Sequence, residues 1–155
     1  MMDAKQALNK AAAMCAMSEQ CRYDIEEKLK KWELTEDEIS EIITYLYKEK
    51  YLDDARYVRT YVKDKLRFNK WGRKKIEYML AHKGMKGSLV KDILDEETAG
   101  DISVLTELLK AKRRTLKSRD EYDERVKLYR FAAGRGFTGE EISKALRALN
   151  IADED

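Results

Sequence analysis

Apolar residues recur along this chain three and four positions apart, the spacing that stacks side chains on one face of a helix. Ile39, Ile42, Ile43 and Leu46 make one such face, and Ile25 and Leu29 another that runs toward Trp32. An Ala-rich helix is predicted over residues 4–17, with Ser18 as N-cap of the next helix because its hydroxyl can accept an unpaired amide hydrogen. Thr35 followed by Glu36, Asp37 and Glu38 reads as a capping box, with carboxylates at the positive end of the helix dipole.

The pattern returns twice. Leu34, Thr35, Ile39, Ile42 and Ile43 correspond to Met85, Lys86, Val90, Ile93 and Leu94 at an offset of 51, and to Phe137, Thr138, Ile142, Ala145 and Leu146 after 52 more. Ile25, Ile76 and Leu128 obey the same offsets. A period near 50 with helical spacing inside each unit predicts an all-α chain of three tandem three-helix modules, about nine helices. Each module is too small to bury its own face fully, so stacking into an elongated, curved rod is expected. The boundaries read as 1–50, 51–99 and 100–150, with 151–155 a flexible acidic C-terminus. Gly84 and Gly136 fall where a helix ends in a left-handed residue, and Glu33 holds that place in the first module. If the first turn is left-handed too, Glu33 carries strain on the order of 1 kcal/mol.

Composition agrees with helices: the chain has no Pro, seven Gly and 43% hydrophobic residues in 155. Charge adds something the periodicity does not. Between residues 55 and 94 stand 12 Lys plus Arg against 3 Asp plus Glu, whereas residues 1–54 have 8 against 13 and residues 95–155 have 12 against 14. The net charge of +2 therefore conceals a basic middle, a segregation that suits a polyanion or an acidic groove.

On a helical wheel Val58, Tyr61, Val62 and Leu66 share one side of residues 55–68, with Arg56, Thr60, Lys63 and Arg67 on the other. The next helix turns Ile76, Met79 and Leu80 inward and shows Lys70, Lys74 and Tyr78 as an outward stripe. After Asp101, Leu105, Leu108, Leu109 and Leu116 form the buried side, opposite Lys110, Arg114 and Lys117. Phosphate recognition needs cations on a rigid accessible surface, although a solvated helix face has the same composition. The helix over 121–133 is apolar on two sides: Leu128, Phe131 and Ala132 supply a core face, and Tyr122, Val126, Tyr129 and Ala133 a second stripe. That stripe either packs between modules or offers a protein-docking patch.

Little here suits catalysis. Cys15, Cys21 and the single His82 make no zinc set, and there is no Gly-rich phosphate loop or nucleophile elbow. No enzyme, metal or cofactor is expected. The apolar run at 11–17 is far shorter than the roughly 20 residues that span a bilayer, and Asp3 is wrong for a secretory leader. A cytoplasmic protein without membrane contact is expected, as a monomer.

Four stretches of the chain resemble the RecX family, bacterial regulators of the RecA recombinase. They are Tyr51-Leu52-Asp53-Asp54-Ala55-Arg56-Tyr57-Val58, then Trp71-Gly72-Arg73-Lys74-Lys75-Ile76 with Leu80-Ala81-His82-Lys83-Gly84-Met85, and Arg135-Gly136-Phe137-Thr138-Gly139-Glu140-Glu141-Ile142. The resemblance implies a crescent of three modules lying in the groove of a RecA filament on single-stranded DNA. It further implies a modulator that limits filament growth, ATP turnover, strand exchange and repressor cleavage in DNA repair and the SOS response. Binding to single-stranded DNA itself would be weak and non-specific. The alternative is a stand-alone nucleic-acid-binding regulator built of small helical bundles, against which the acidic starts of the third helices argue.

Overall fold

The computed structural model describes residues 2–151. Among them the chain forms nine helices: α1 (Ala4–Met17), α2 (Arg22–Lys31), α3 (Glu36–Lys48), α4 (Asp54–Arg67), α5 (Arg73–His82), α6 (Ser88–Thr98), α7 (Ser103–Thr115), α8 (Glu121–Gly134) and α9 (Gly139–Ala148). The protein is all-α, in tandem three-helix groups. No helix of the described residues is long and apolar enough to cross a membrane.

Local chemistry starts most of these helices. Asp3 accepts from Gln6 N–H at 2.8 Å, and the Gln6 side chain answers the Asp3 amide at 3.1 Å. The same reciprocal box joins Thr35 to Glu38 and Thr138 to Glu141. Ser18 departs from expectation. It closes α1, its amide bonded to Met14 O at 3.2 Å, and α2 starts from Cys21 without a side-chain cap. The Ser18 hydroxyl accepts instead from Gln20 at 3.0 Å, because extended residues separate it from the first amides of α2.

The helix ends repeat as regularly as the starts. Glu33, Gly84 and Gly136 all have positive φ, at 62°, 75° and 96°. In each, the next amide reaches back to the carbonyl five residues earlier: Leu34 to Leu29 at 3.4 Å, Met85 to Leu80 at 3.0 Å, Phe137 to Ala132 at 3.3 Å. The first turn is therefore left-handed despite its glutamate. A second series, Lys50, Gly100 and Asn150, ends the third helices with φ of 62°, 67° and 58°.

The molecule divides into two compact units, one holding the chain up to Tyr61 with Leu80–Val90, the other Val62–Met79 with the chain from Lys91 on. In the first, Ala7, Ala11, Ile25, Leu29, Ile42, Ile43 and Leu46 bury the facing sides of α1–α3. In the second, Leu105, Leu109, Leu128, Ala132, Ile142 and Leu146 do so for α7–α9. Each Leu or Ile among them contributes about 1.5–3 kcal/mol on burial. The buried residues of α4–α6 are shared out: Val58, Leu80 and Val90 belong to the first unit, and Val62, Ile76, Ile93 and Leu94 to the second. Ile151, assigned from sequence to the acidic C-terminal segment, is buried in the α7–α9 core; residues 152–155 lie outside the described residues.

Candidate nucleic-acid interface

The basic stretch between α4 and α5 belongs to the second unit, where the turn between α8 and α9 holds it in place. A helix begins with amides that have no partner inside it, and α5 finds partners for two of them on another element. Gly72 N–H donates to Arg135 O at 2.7 Å and Lys74 N–H to Gly136 O at 3.0 Å. The Arg135 guanidinium returns a bond to Asn69 O at 3.3 Å. At Gly72 a Cβ would stand well inside 3.0 Å of Phe137 N and the Gly136 carbonyl, and at Gly136 it would collide with Lys75. Both glycines are thus required by close backbone approach, which for Gly136 adds to its positive φ. Two ammonium groups lie over the Trp71 ring, Lys65 at 4.9 Å and Lys75 at 4.6 Å from its centre.

Arg67, Phe68, Asn69 and Lys70 protrude from this anchored turn as four consecutive exposed residues, and Lys74 is exposed on the first turn of α5. Lys70 belongs to the connection and not to the α5 stripe expected from the wheel. It has φ of 56°, and its ammonium bonds to Arg67 O. Tyr78, on α5, is 63% exposed. Lys117 likewise lies beyond α7, which stops at Thr115 as Leu116 turns extended.

The expected cations divide by partner. Arg56, in the first unit, is occupied internally: it pairs with Glu19 and donates to Lys50 O at 3.1 Å and Tyr51 O at 3.2 Å. Lys63 faces Glu97 at 3.9 Å and Lys110 faces Glu107 at 3.3 Å. Among the described residues Arg67, Lys70, Lys74, Arg114 and Lys117 have no carboxylate partner, and all five lie in the second unit. The loop carrying Lys117 is fixed by Asp123, whose carboxylate accepts from Arg119 N–H at 3.0 Å and lies 3.1 Å from the Lys127 ammonium. Lys127 also donates to Lys117 O at 2.8 Å. The Arg119 amide, then Lys127, holds the Asp123 carboxyl below the usual range against the effect of burial.

The second apolar stripe of α8 is split. Val126 and Tyr129, with Arg125 and Arg130, line a shallow cleft of about 230 Å³, whereas Tyr122 is more than half exposed and does not line it. Tyr129 also packs against the α7–α9 core. Burial pushes the thiols of Cys15 and Cys21 up, away from nucleophilic character. Among the described residues no group of three or more His, Cys, Asp or Glu is placed to hold a metal ion.

The family model for the second three-helix domain of RecX matches residues 53–94, and that for the third three-helix domain matches residues 101–146. The chain belongs to the RecX family. The Regulatory protein RecX of Clostridium beijerinckii is 30% identical over 139 residues, 85% of this chain and 62% of that protein. The one from Prosthecochloris aestuarii is 28% identical over 149 residues, 95% of each chain. The crystal structure of RecX from Lactobacillus salivarius shares the fold with a TM-score of 0.78 at 23% identity, over 96% of this chain and 97% of that one. The chain spans less than two thirds of the clostridial relative's length. Gly72 falls in the stretch matched to the second RecX domain and Gly136 in that matched to the third, so their contact joins two domains of the family pattern.

One functional candidate escaped the wheel. Phe68 is 79% exposed among Arg67, Lys70 and Lys74, although the wheel over 55–68 puts it beside Tyr61 at the edge of the apolar side, because α4 stops at Arg67. The available signal was a large aromatic at the last position of the apolar stripe, within the most basic segment of the chain. The close approach at Gly72 left no periodic signal at all.

Proposed function

We propose that this protein is a non-enzymatic modulator of the RecA recombinase that binds in the groove of the RecA filament on single-stranded DNA. There it limits filament growth, ATP hydrolysis and strand exchange. Membership of the RecX family supports a regulatory role. The observation that carries the proposed contact is the anchored loop bearing Arg67, Lys70 and Lys74, three cations without carboxylate partners among the described residues, on a backbone tied to the α8–α9 turn. Cations fixed in this way meet phosphates or acidic side chains without a large ordering cost. Arg114 and Lys117 extend the basic set. Arg56, Lys63 and Lys110 contribute less, since their carboxylate partners neutralise them.

The test is a titration into RecA on single-stranded DNA, following ATP hydrolysis at two salt concentrations. Inhibition is expected below one protein per RecA protomer, and charge reversal at Arg67, Lys70 and Lys74 should weaken it markedly. Full potency in that triple variant would remove the loop from the mechanism. Tight preference for one duplex site would instead favour a stand-alone DNA-binding regulator.

A further inference from the structure

We propose that Phe68 is a base-stacking platform for single-stranded nucleic acid, set by the α4–α5 loop among phosphate-binding cations. The inference rests on the nucleic-acid part of the function proposed above and adds a specific ligand chemistry to it.

The first support is exposure. Phe68 presents the most exposed aromatic ring among the described residues, while the other large aromatic of the loop, Trp71, is half-buried and already engaged by the Lys65 and Lys75 ammonium groups. A phenyl ring kept in water forgoes burial energy, so its position matters more than its mere presence. The second support is rigidity. The Phe68 amide is held by Asp64 O at 2.8 Å and the Trp71 amide by Lys65 O at 3.1 Å, and the loop is tied through Asn69 and Gly72 to Arg135. Lys70 adopts its left-handed φ inside this frame. A backbone so held gives up little freedom on binding.

Charge then selects the partner. Residues 63–75 contain seven Lys or Arg and one acid, Asp64, a turn before Phe68; Lys63 and Arg73 are paired with Glu97 and Asp95, which leaves a basic surplus carried by Arg67, Lys70 and Lys74. Acidic polymers are attracted, and an aromatic ring distinguishes among them, because an unpaired base offers a flat π-face. In a duplex the faces are stacked within the helix and only edges and phosphates are accessible. Phenylalanine has no hydrogen-bonding group, so binding should tolerate any base.

The experiment uses the full chain and fluorescent oligodeoxythymidylate, an abasic strand of equal length, oligouridylate, and a duplex. Phe68→Ala should weaken oligodeoxythymidylate binding by about 5- to 100-fold. It should leave the duplex and the abasic strand unchanged and keep the same salt slope, since no charge is removed. Phe68→Trp should retain or exceed the original affinity. Equal losses on deoxythymidylate and uridylate would define a site for base faces of either polymer; loss on one alone assigns it to that polymer. The proposal is overturned if Phe68→Ala binds both single strands normally, if strand and duplex weaken together, or if Phe68→Leu equals the native protein. The last result would indicate a greasy contact for a protein. RecA ATPase inhibition is measured with the same variants. A normal response to Phe68→Ala on free strands with inhibition intact sinks the platform alone; loss of all RecA inhibition from the native protein sinks the modulator.

Discussion

Gly72 donates its amide hydrogen to the carbonyl of Arg135 at 2.7 Å, so two motifs more than 60 residues apart meet backbone to backbone. Any side chain at Gly72 or Gly136 would have to push them apart. Gly72→Ala and Gly136→Ala should each cost about 1–3 kcal/mol by overpacking. Gly84→Ala, where a Cβ meets nothing within 4 Å, should cost only the backbone strain of its positive φ, about 1 kcal/mol. Urea unfolding of the three variants tests the ranking; a Gly72→Ala protein as stable as the native one would contradict the close approach.

Glu33 has φ of 62° in a turn where its two counterparts are glycines. Glu33→Gly should raise stability by roughly 0.5–1 kcal/mol, the relief of left-handed strain less the added freedom of the unfolded glycine. The urea midpoint should rise with an unchanged slope. A lower midpoint would mean that Glu33 makes a compensating contact.

Asp24 and Lys83 connect α2 to the turn after α5, at 2.9 and 2.8 Å. Cys21, 51 residues before Gly72, begins α2 here, so this contact depends on charge where the later one depends on backbone. Burial disfavours the Lys83 ammonium, but the hydrogen bond and charge of Asp24 outweigh it and raise its pKa. A raised lysine pKa stabilises fully below the unfolded value of about 10.4 and loses its contribution as pH rises through the folded one. Lys83→Met should therefore cost on the order of 1 kcal/mol at neutral pH, with the gap to the native protein narrowing above about pH 10.4. Thermal melts across that range provide the check; a pH-independent gap would show a packing effect only.

Asp123 predicts the opposite pH window. Its depressed pKa stabilises fully above the unfolded value of about 3.9, and that contribution disappears as pH falls through the folded value. Asp123→Asn should lower stability at neutral pH and flatten the acid side of the stability profile below about pH 4. An acid-unfolding curve of unchanged steepness would show that another group dominates.

Much of this architecture is legible in the order of residues because its causes are local. The boxes at Thr35 and Thr138 close within three residues, Ile39 and Ile43 lie one turn apart, and the helix ends at Gly84 and Gly136 need only a residue that accepts positive φ. These signals repeat about every 50 residues and so define the helical groups. The fate of the cations depended on distant chain. Arg56 finds Glu19 37 residues away and Lys63 finds Glu97, whereas Arg67, Lys70 and Lys74 find no carboxylate among the described residues. A wheel assumes that a helix continues, so it could not foresee that Lys70 and Lys117 lie beyond helix ends, or that Phe68 remains outside every core. Hydrogen bonds three or four residues long are dictated by neighbours, but which charge is neutralised and which ring stays in water is decided only when separate segments pack.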